Sequence, residues 1–481
     1  MASCQPAEIF IPVGDEREKA RESQRDISHC QQHITLTLAG LADLCKESGR
    51  SLIAFEDKIF DLSEWKFFHP GGSLAIDHVV GKDATEAIRA FHPSIVWTSM
   101  IERYRVGNLV LSADEVLANA EFYNLRHGFN ELKLRLEKEG LFRPDTFFYQ
   151  CLLLRYLVMF SVALALTLLL PSPWNGILGG TAVAALWQQL AFFAHDAGHS
   201  GVTYNRKFDM LLGSLAGSAF GGLSLAWWKS THNVHHLCTN HPEHDPDIQH
   251  MPLLAISKRN CDSLYSTYHK RILAFDAVAK VALLFQTYTY FPLMALGRIN
   301  LYIQSYTFLL SNMSTMGPQG WVELVGLITF WCWFTALCRT LHTPSDMLMF
   351  ILTSHVFSAV LHVQINASHW GMDCSELDCT EHFAAKALRT TMDIDCPAWL
   401  DWFHGGLQFQ AMHHLFPRMP RRHLRAAVPL VESFAKTHGL TYHHHGFIRG
   451  NGLMLDNLRG VSNHCWFLIS TMSVPESSIK S

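Results

Sequence analysis

The sequence predicts a multidomain chain: a small soluble α+β domain, then an all-α integral membrane domain with four transmembrane helices and further interfacial helices. Three observations carry this. Of the 481 residues, 49% are hydrophobic and only 17% are charged, below the roughly 25% charge of ordinary soluble domains; the mean hydropathy is +0.09. Long apolar runs begin only after about residue 150, whereas residues 33–110 have the short apolar stretches and turns of a soluble unit. Histidine, 29 copies in all, gathers at the ends of the apolar runs. The expected division is a polar tail (1–32), the small domain (33–110), a linker (111–148), the membrane domain (149–445) and a C-terminal tail (446–481). A net charge of −4 leaves no basic footprint for nucleic acid.

The N-terminal tail carries a mixed-charge run, Asp15 to Asp26, which reads as a solvated segment. Met1 to Arg25 has no signal-peptide pattern, so the 12 Cys read as reduced thiols facing the cytosol. Cys374 and Cys379 lack a second pair that would complete a zinc site and receive no role.

In the small domain, apolar runs at Leu52–Phe55 and Lys58–Leu62 precede His69-Pro70-Gly71-Gly72, and His92-Pro93 follows 23 residues later. Haem iron takes two axial imidazoles from opposite sides, each held in a loop between pocket-wall helices. The paired glycines let backbone pass close to a porphyrin edge. With Phe60-Asp-Leu-Ser-Glu-Trp65 upstream, the stretch resembles cytochrome b5 as far as about Leu109. That resemblance implies His69 and His92 as axial ligands of a low-spin haem b that passes single electrons.

Glu115–Gly140 reads as an amphipathic linker helix, a tether without chemistry. Cys151–Leu170 and Ile177–Ala194 form an apolar hairpin, and Trp321–Leu341 with Met347–Gln364 forms another. Each is near the about 20 residues a bilayer requires, and each is apolar on every face. Met210–Trp228 and Val278–Met294 are poorer runs, expected as half-embedded interfacial helices. Four crossings place the small domain, every histidine cluster and the C-terminus on one side. Arg206, Lys207, Lys229, Lys258, Arg259, Lys270, Arg271, Arg418, Arg421 and Arg422 also gather there, which makes that side cytosolic.

His195 and His199 end the second span. His232, His235 and His236 follow in the connecting region, and Gln410, His413 and His414 come after the last span. Spacings of three and four put side chains on one helix face. His369 lies just beyond the fourth span. Neutral imidazoles bind iron well, and this many ligands suits two ions rather than one. Asp196, Asp245 and Asp247 are placed to accept an N–H from a ligand histidine, fixing its ring. His404 is a ligand or a supporting group, and His443–His445 is a surface run.

The motifs HDAGH (195–199), HNVHH (232–236) and QFQAMHH (408–414), behind a haem domain, closely resemble the membrane front-end fatty acyl and sphingolipid desaturases over about residues 33–445. Gln410, standing where ordinary acyl desaturases have a histidine, is the most specific mark. The resemblance implies that Gln410, His413, His414, His369 and the first two clusters hold two non-haem iron ions, with molecular oxygen as co-substrate. Electrons are expected from NADH through cytochrome b5 reductase, and the location is the endoplasmic reticulum membrane. No side chain deprotonates an unactivated C–H bond near neutral pH, so the reaction needs cofactor chemistry. Reducing oxygen to water takes four electrons; two leave the lipid and two arrive singly through the haem.

Ala411 and Met412 depart from the acyl front-end pattern, and with His362-Val-Gln-Ile they look more like fungal sphingolipid Δ8-desaturases. The implied substrate is the long-chain base of a ceramide. A Δ6 or Δ5 acyl-lipid desaturase is the alternative. A lipid hydroxylase would share the irons and haem but has wider spacing in the first cluster, and a non-enzymatic membrane haem carrier would need only residues 33–109. The sequence leaves oligomeric state and double-bond geometry open.

Overall fold

The computed structural model describes residues 34–111, 120–375 and 381–472; the Asp15–Asp26 run, Glu115 and Cys379 lie outside them. The N-terminal domain comprises β1 (Ile34–Leu36), α1 (Leu38–Ser48), β2 (Leu52–Phe55), β3 (Lys58–Asp61), α2 (Ser73–Asp77), α3 (Thr85–Phe91) and β4 (Arg105–Leu109). Its sheet runs β1-β4-β3-β2, with β1 parallel to β4 and the other pairs antiparallel. Alternation along β2 sends Leu52 and Ala54 to one core with Leu41, Ile59 and Val106, and Ile53 and Phe55 to another with Phe60, Ile76 and Ile88. The sheet is therefore covered on both faces, and the second face, with α2 and α3, borders the two His-Pro loops.

Helix α4 (Ala120–Lys138) buries Leu125, Phe129, Leu132 and Leu136, a stripe at spacings of four, three and four. The stripe packs on residues near the C-terminus, including Leu424, Val431 and Phe434. Arg126, on the same helix, joins Asp83 (2.9 Å) and Glu86 (2.5 Å) of the N-terminal domain. The segment expected as a mere tether is thus a packed brace. Its apolar stripe was legible as amphipathicity, but the partner that covers it comes some 300 residues later.

Helices α5 (Thr146–Leu169) and α6 (Trp174–Gly198) form the first hairpin. Next come α7 (Arg206–Ser214), α8 (Leu225–Leu237), a small hairpin of β5 (Leu264–Ser266) and β6 (Arg271–Leu273), and α9 (Ala277–Met316). The second membrane hairpin is α10 (Pro318–Arg339) followed by α11 (Pro344–Val356) and α12 (Ala359–Ala367). Among the described residues, α5, α6, α10 and the Pro344–Ala367 unit are long and apolar enough to cross a membrane. The two hairpin turns meet at one end, where the Ser172 hydroxyl donates to Asp346 (2.7 Å). Helices α6 and α11 cross so closely that a Cβ on Gly176 would lie 2.4 Å from the Asp346 carbonyl oxygen, and one on Gly180 2.5 Å from that of Phe350. This is the close approach that small residues four apart permit between membrane helices.

The Arg206–Phe220 and Leu225–Leu237 arms, which include α7 and α8, meet at a bend of 114°. His199, before this segment, and His236, near its end, have ring centroids 4.8 Å apart. The segment therefore leaves and returns at one end of the bundle, and the candidate crossings among the described residues stay at four. Val278–Met294, expected as a separate interfacial helix, is the first part of α9, a continuous helix of 40 residues. The apolar run ends at Met294, but the helix, with Pro292 inside it, continues through Arg298 to Met316; hydropathy alone does not mark a helix end.

The chain closes with α13 (Phe383–Thr390), β7 (Asp393–Asp395), α14 (Asp401–His404), α15 (Gln410–Leu415), α16 (Arg421–Thr437), β8 (His444–Gly446) and α17 (Phe447–Met472). Strands β7 and β8 pair in parallel, which accounts for His443–His445 as a partly exposed run away from the clusters. The expected C-terminal tail is instead helix α17, which buries Met454, Leu458, Val461 and Cys465. It is fastened to α9 where the Gln286 amide donates to the Leu458 carbonyl (2.8 Å) and the Ser462 hydroxyl to that of Leu283 (2.7 Å). With polar residues on its other face, α17 has no apolar run of membrane length, and so read as tail.

Candidate metal centre

Four separate segments supply the histidines. His195 lies in the last turn of α6 and His199 is its C-cap residue; their ring centroids are 4.9 Å apart. Helix α8 brings His232, His235 and His236. Short helix α15 carries Gln410, His413 and His414, all buried, and His369 lies two residues past α12, also buried. Potential ligand atoms of His195, His199, His232 and His413 lie within 4.8 Å of one another, as do those of His235, His369 and His414. His236 stands between the groups, its ring 4.8 Å from His199, 4.7 Å from His413 and 4.2 Å from His414. The Gln410 amide oxygen is 3.3 Å from His369 Nε2, at the rim of the second group.

His199 Nε2, His236 Nδ1, His369 Nδ1, His413 Nε2 and His414 Nε2 are buried with no hydrogen-bond partner. A buried polar nitrogen without a partner costs about 1–3 kcal/mol, and five in one place call for an occupant. Burial and the neighbouring imidazoles hold His413 and His414 well below the usual histidine range and His369 at about 3. They are therefore neutral, the form that binds a metal. Buried lone pairs in two clusters fit two metal ions.

The supporting bonds fix which nitrogen faces inward. Asp245 accepts from His235 Nδ1 (2.9 Å) and from the Asn240 backbone N–H (2.7 Å). The Thr239 hydroxyl donates to the His235 carbonyl (2.8 Å), leaving its oxygen to accept from His414 Nδ1 (3.1 Å). The Asn240 amide donates to the His369 carbonyl (2.8 Å). Thr239 and Asn240 thus tie three clusters together, and sequence reading missed both. Their only signal was a polar pair three residues beyond HNVHH, after Leu237 and Cys238. Trp228 stacks on His232 at 4.4 Å and contacts His195 and His199, covering one side of the first group.

The expected supporting acids divide. Asp245 is the direct partner of His235 Nδ1. Asp247 lies 3.5 Å from His232 Nδ1 and 3.9 Å from His235 Nδ1. Asp196 is 3.7 Å from His195 Nδ1, but its close partners are Arg421 (3.1 Å) and the Tyr149 hydroxyl (2.9 Å). It therefore anchors α16 to α5 and α6 more than it orients a ring, a role hidden because both partners are remote in sequence. His404 joins neither group: its Nδ1 accepts from the Gln364 amide (3.2 Å), beside Phe403 and Phe447.

In the N-terminal domain, the His69 and His92 rings face each other with centroids 5.9 Å apart. His69 Nδ1 donates to the Gly72 carbonyl (3.0 Å) and His92 Nδ1 to that of Ile88 (3.1 Å). Each ring keeps Nε2 free, as an axial ligand requires. Burial lowers both, His92 to about 4. A Cβ on Gly71 would meet the His69 ring at 2.9 Å, so a larger residue there would push that ring.

Residues 171–446 match the family model described as fatty acid desaturase, and residues 37–110 match that of the cytochrome b5-like heme/steroid binding domain. The chain is 35% identical to a Delta 8-(E)-sphingolipid desaturase of Komagataella phaffii, over 86% of this chain and 91% of that protein. It is 41% identical to the Candida albicans protein of the same description, over 71% of this chain and 59% of that one. It is 34% identical to Delta(8)-fatty-acid desaturase 1 of Arabidopsis thaliana, over 86% and 90% respectively.

Proposed function

The chain belongs to the fatty acid desaturase family, and from that premise we propose that it introduces a Δ8 double bond into the long-chain base of a ceramide, with electrons passed through its own haem domain. The observation that carries this reading is the convergence of histidines from four distant segments into two compact groups, in each of which the potential ligand atoms lie within 4.8 Å of one another. His195, His199, His232 and His413 would hold one iron, and His235, His369 and His414 the other, with His236 between them and Gln410 beside His369. Two irons bound there, with molecular oxygen, supply the oxidising power to take hydrogen from an unactivated C–H bond.

The rest falls to the chain's own residues. Asp245 and Thr239 hold His235 and His414 with the metal-facing nitrogen bare. Asp247 stands ready beside His232. Trp228 keeps water from one flank of the first group. His69 and His92 would hold haem b, and tethering that domain to the catalyst would raise its effective concentration into roughly the millimolar range. NADH–cytochrome b5 reductase is the electron donor in this reading. The endoplasmic reticulum is the membrane, and the basic residues of the histidine-bearing side face the cytosol.

A sphingolipid substrate and E geometry come from the descriptions of the fungal relatives; the description of the Arabidopsis relative favours an acyl chain. Expression in a yeast lacking Δ8-unsaturated bases, followed by mass spectrometry of long-chain bases and fatty acids, separates the two. A Δ8(E) base is expected; a new double bond confined to the acyl fraction overturns the sphingolipid assignment. His235→Ala is expected to abolish product while haem absorbance persists. Retained product would remove the second metal group from the reaction.

A further inference from the structure

Helix α3 ends at Phe91, and the haem-binding residue His92 is its C-cap. The Phe91 ring packs with the core built from α4, α13, α15 and α16, not with the cores of its own domain. It meets His236 edge-to-face, with centroids 5.8 Å apart at 81°, and touches Phe383 at 6.1 Å. His236 in turn lies between the two histidine groups, with Nδ1 buried and without a partner. One peptide unit and one ring contact therefore join a haem ligand to the middle of the metal cluster.

We propose that Phe91 is the electron bridge between the haem domain and the metal centre. The proposal rests on the reading that His69 and His92 hold haem and that the histidine groups hold iron. In each passage one electron leaves ferrous haem, which becomes ferric, and crosses the Phe91 ring toward His236. Two passages serve one turnover. Together with the two electrons and two protons lost as the C=C bond forms, and two protons from solvent, they reduce one oxygen molecule to two waters. An aromatic ring offers a π-system to the transfer; an aliphatic side chain of similar size fills the space with σ-bonds alone.

Other contacts hold the domains together without Phe91. The Asn233 amide donates to the Gly71 carbonyl (3.3 Å), and Arg126 bridges α4 to Asp83 and Glu86. The position of the haem domain is thus over-determined, and the ring can be changed with the docking retained.

The test uses the full-length protein with its haem reduced anaerobically by limiting dithionite, then mixed with oxygen and ceramide while haem absorbance is followed. Phe91→Leu is expected to slow haem reoxidation several-fold, with haem spectrum, midpoint potential and iron content at parental values. Phe91→Tyr, which keeps the ring, is expected to stay near the parental rate. Phe91→Met repeats the comparison with a flexible side chain if the leucine variant loses haem. Iron-replete Phe91→Leu or Phe91→Met reoxidising at the parental rate overturns the proposal. So does Phe91→Tyr slowed as much as Phe91→Leu, which would mark a packing role. Parental protein without non-haem iron is a different result: it removes the metal reading, and the bridge with it.

Discussion

The Asp245 carboxylate accepts a hydrogen bond from His235 Nδ1 at 2.9 Å while its other oxygen accepts the Asp247 backbone N–H at 2.9 Å. One buried acid therefore both aims a histidine and shapes the turn that follows the second cluster. Asp245→Asn keeps the shape but removes the charge and one of the two acceptors. Such supporting partners are typically worth about 10–100-fold in metal affinity or activity. Non-haem iron per haem, measured by elemental analysis against haem absorbance, is expected to fall along with product. Parental iron and turnover would show that His235 needs no such partner.

Arg126 and Glu86 make a test of how the linker helix braces the haem domain. The Glu86 side chain is 5% exposed and that of Arg126 16%, so Arg126→Met leaves a buried carboxyl without its cation. Breaking such a pair from one side costs about 3–5 kcal/mol. The double variant Glu86→Gln, Arg126→Met restores part of the loss, because the Glu86 charge leaves with its partner while Asp83 still loses the Arg126 cation. Thermal melting followed at the haem absorbance band measures the cycle. Equal melting of the single and double variants would mean the pair is not coupled.

The histidine clusters were legible because their spacing is local: three and four residues on a helix fix one face whatever the rest of the chain does. The four crossings were legible for a similar reason, since an apolar run of membrane length needs no partner to be recognised. What escaped depends on contacts between distant segments. Arg421 claims Asp196 from 225 residues away, the Asn240 amide reaches the His369 carbonyl, and α17 is a helix whose apolar stripe makes sense only against α9. Polar residues inside a helix also hid the length of α9, whose apolar run is shorter than the helix itself.

Gly198, between the paired histidines of the first cluster, is a steric requirement. A Cβ there would lie 2.2 Å from the Trp228 ring, and Trp228 stacks on His232. Gly198→Ala must push the indole and with it a proposed iron ligand. Overpacking of this kind costs about 1–3 kcal/mol. Lower iron occupancy and a lower melting temperature are expected, with an unchanged haem spectrum. Full iron occupancy in Gly198→Ala would indicate that Trp228 moves without disturbing His232.

A second set of imidazoles lies where the haem domain meets the loop after α8. His78, at the end of α2, has its ring 4.8 Å from that of His244, which stacks on His241 at 4.0 Å. Burial, then the neighbouring histidines and Lys82, lower His78 to about 4 and His241 to about 3; Lys386 adds to the effect on His78 and Arg259 to that on His241. Burial also lowers His244, although Glu243 opposes it. All three are depressed from the ordinary value of 6.5, so the docked state favours neutral rings and the undocked or unfolded state takes up protons first. Stability is therefore fully present above about pH 6.5 and is lost as pH falls toward 4. The melting temperature of the full-length protein, followed at the haem band, is expected to decline across that window. His78→Phe, which keeps a ring but cannot be protonated, is expected to make the decline shallower. A decline equally steep in the variant would assign the pH dependence to groups other than this interface.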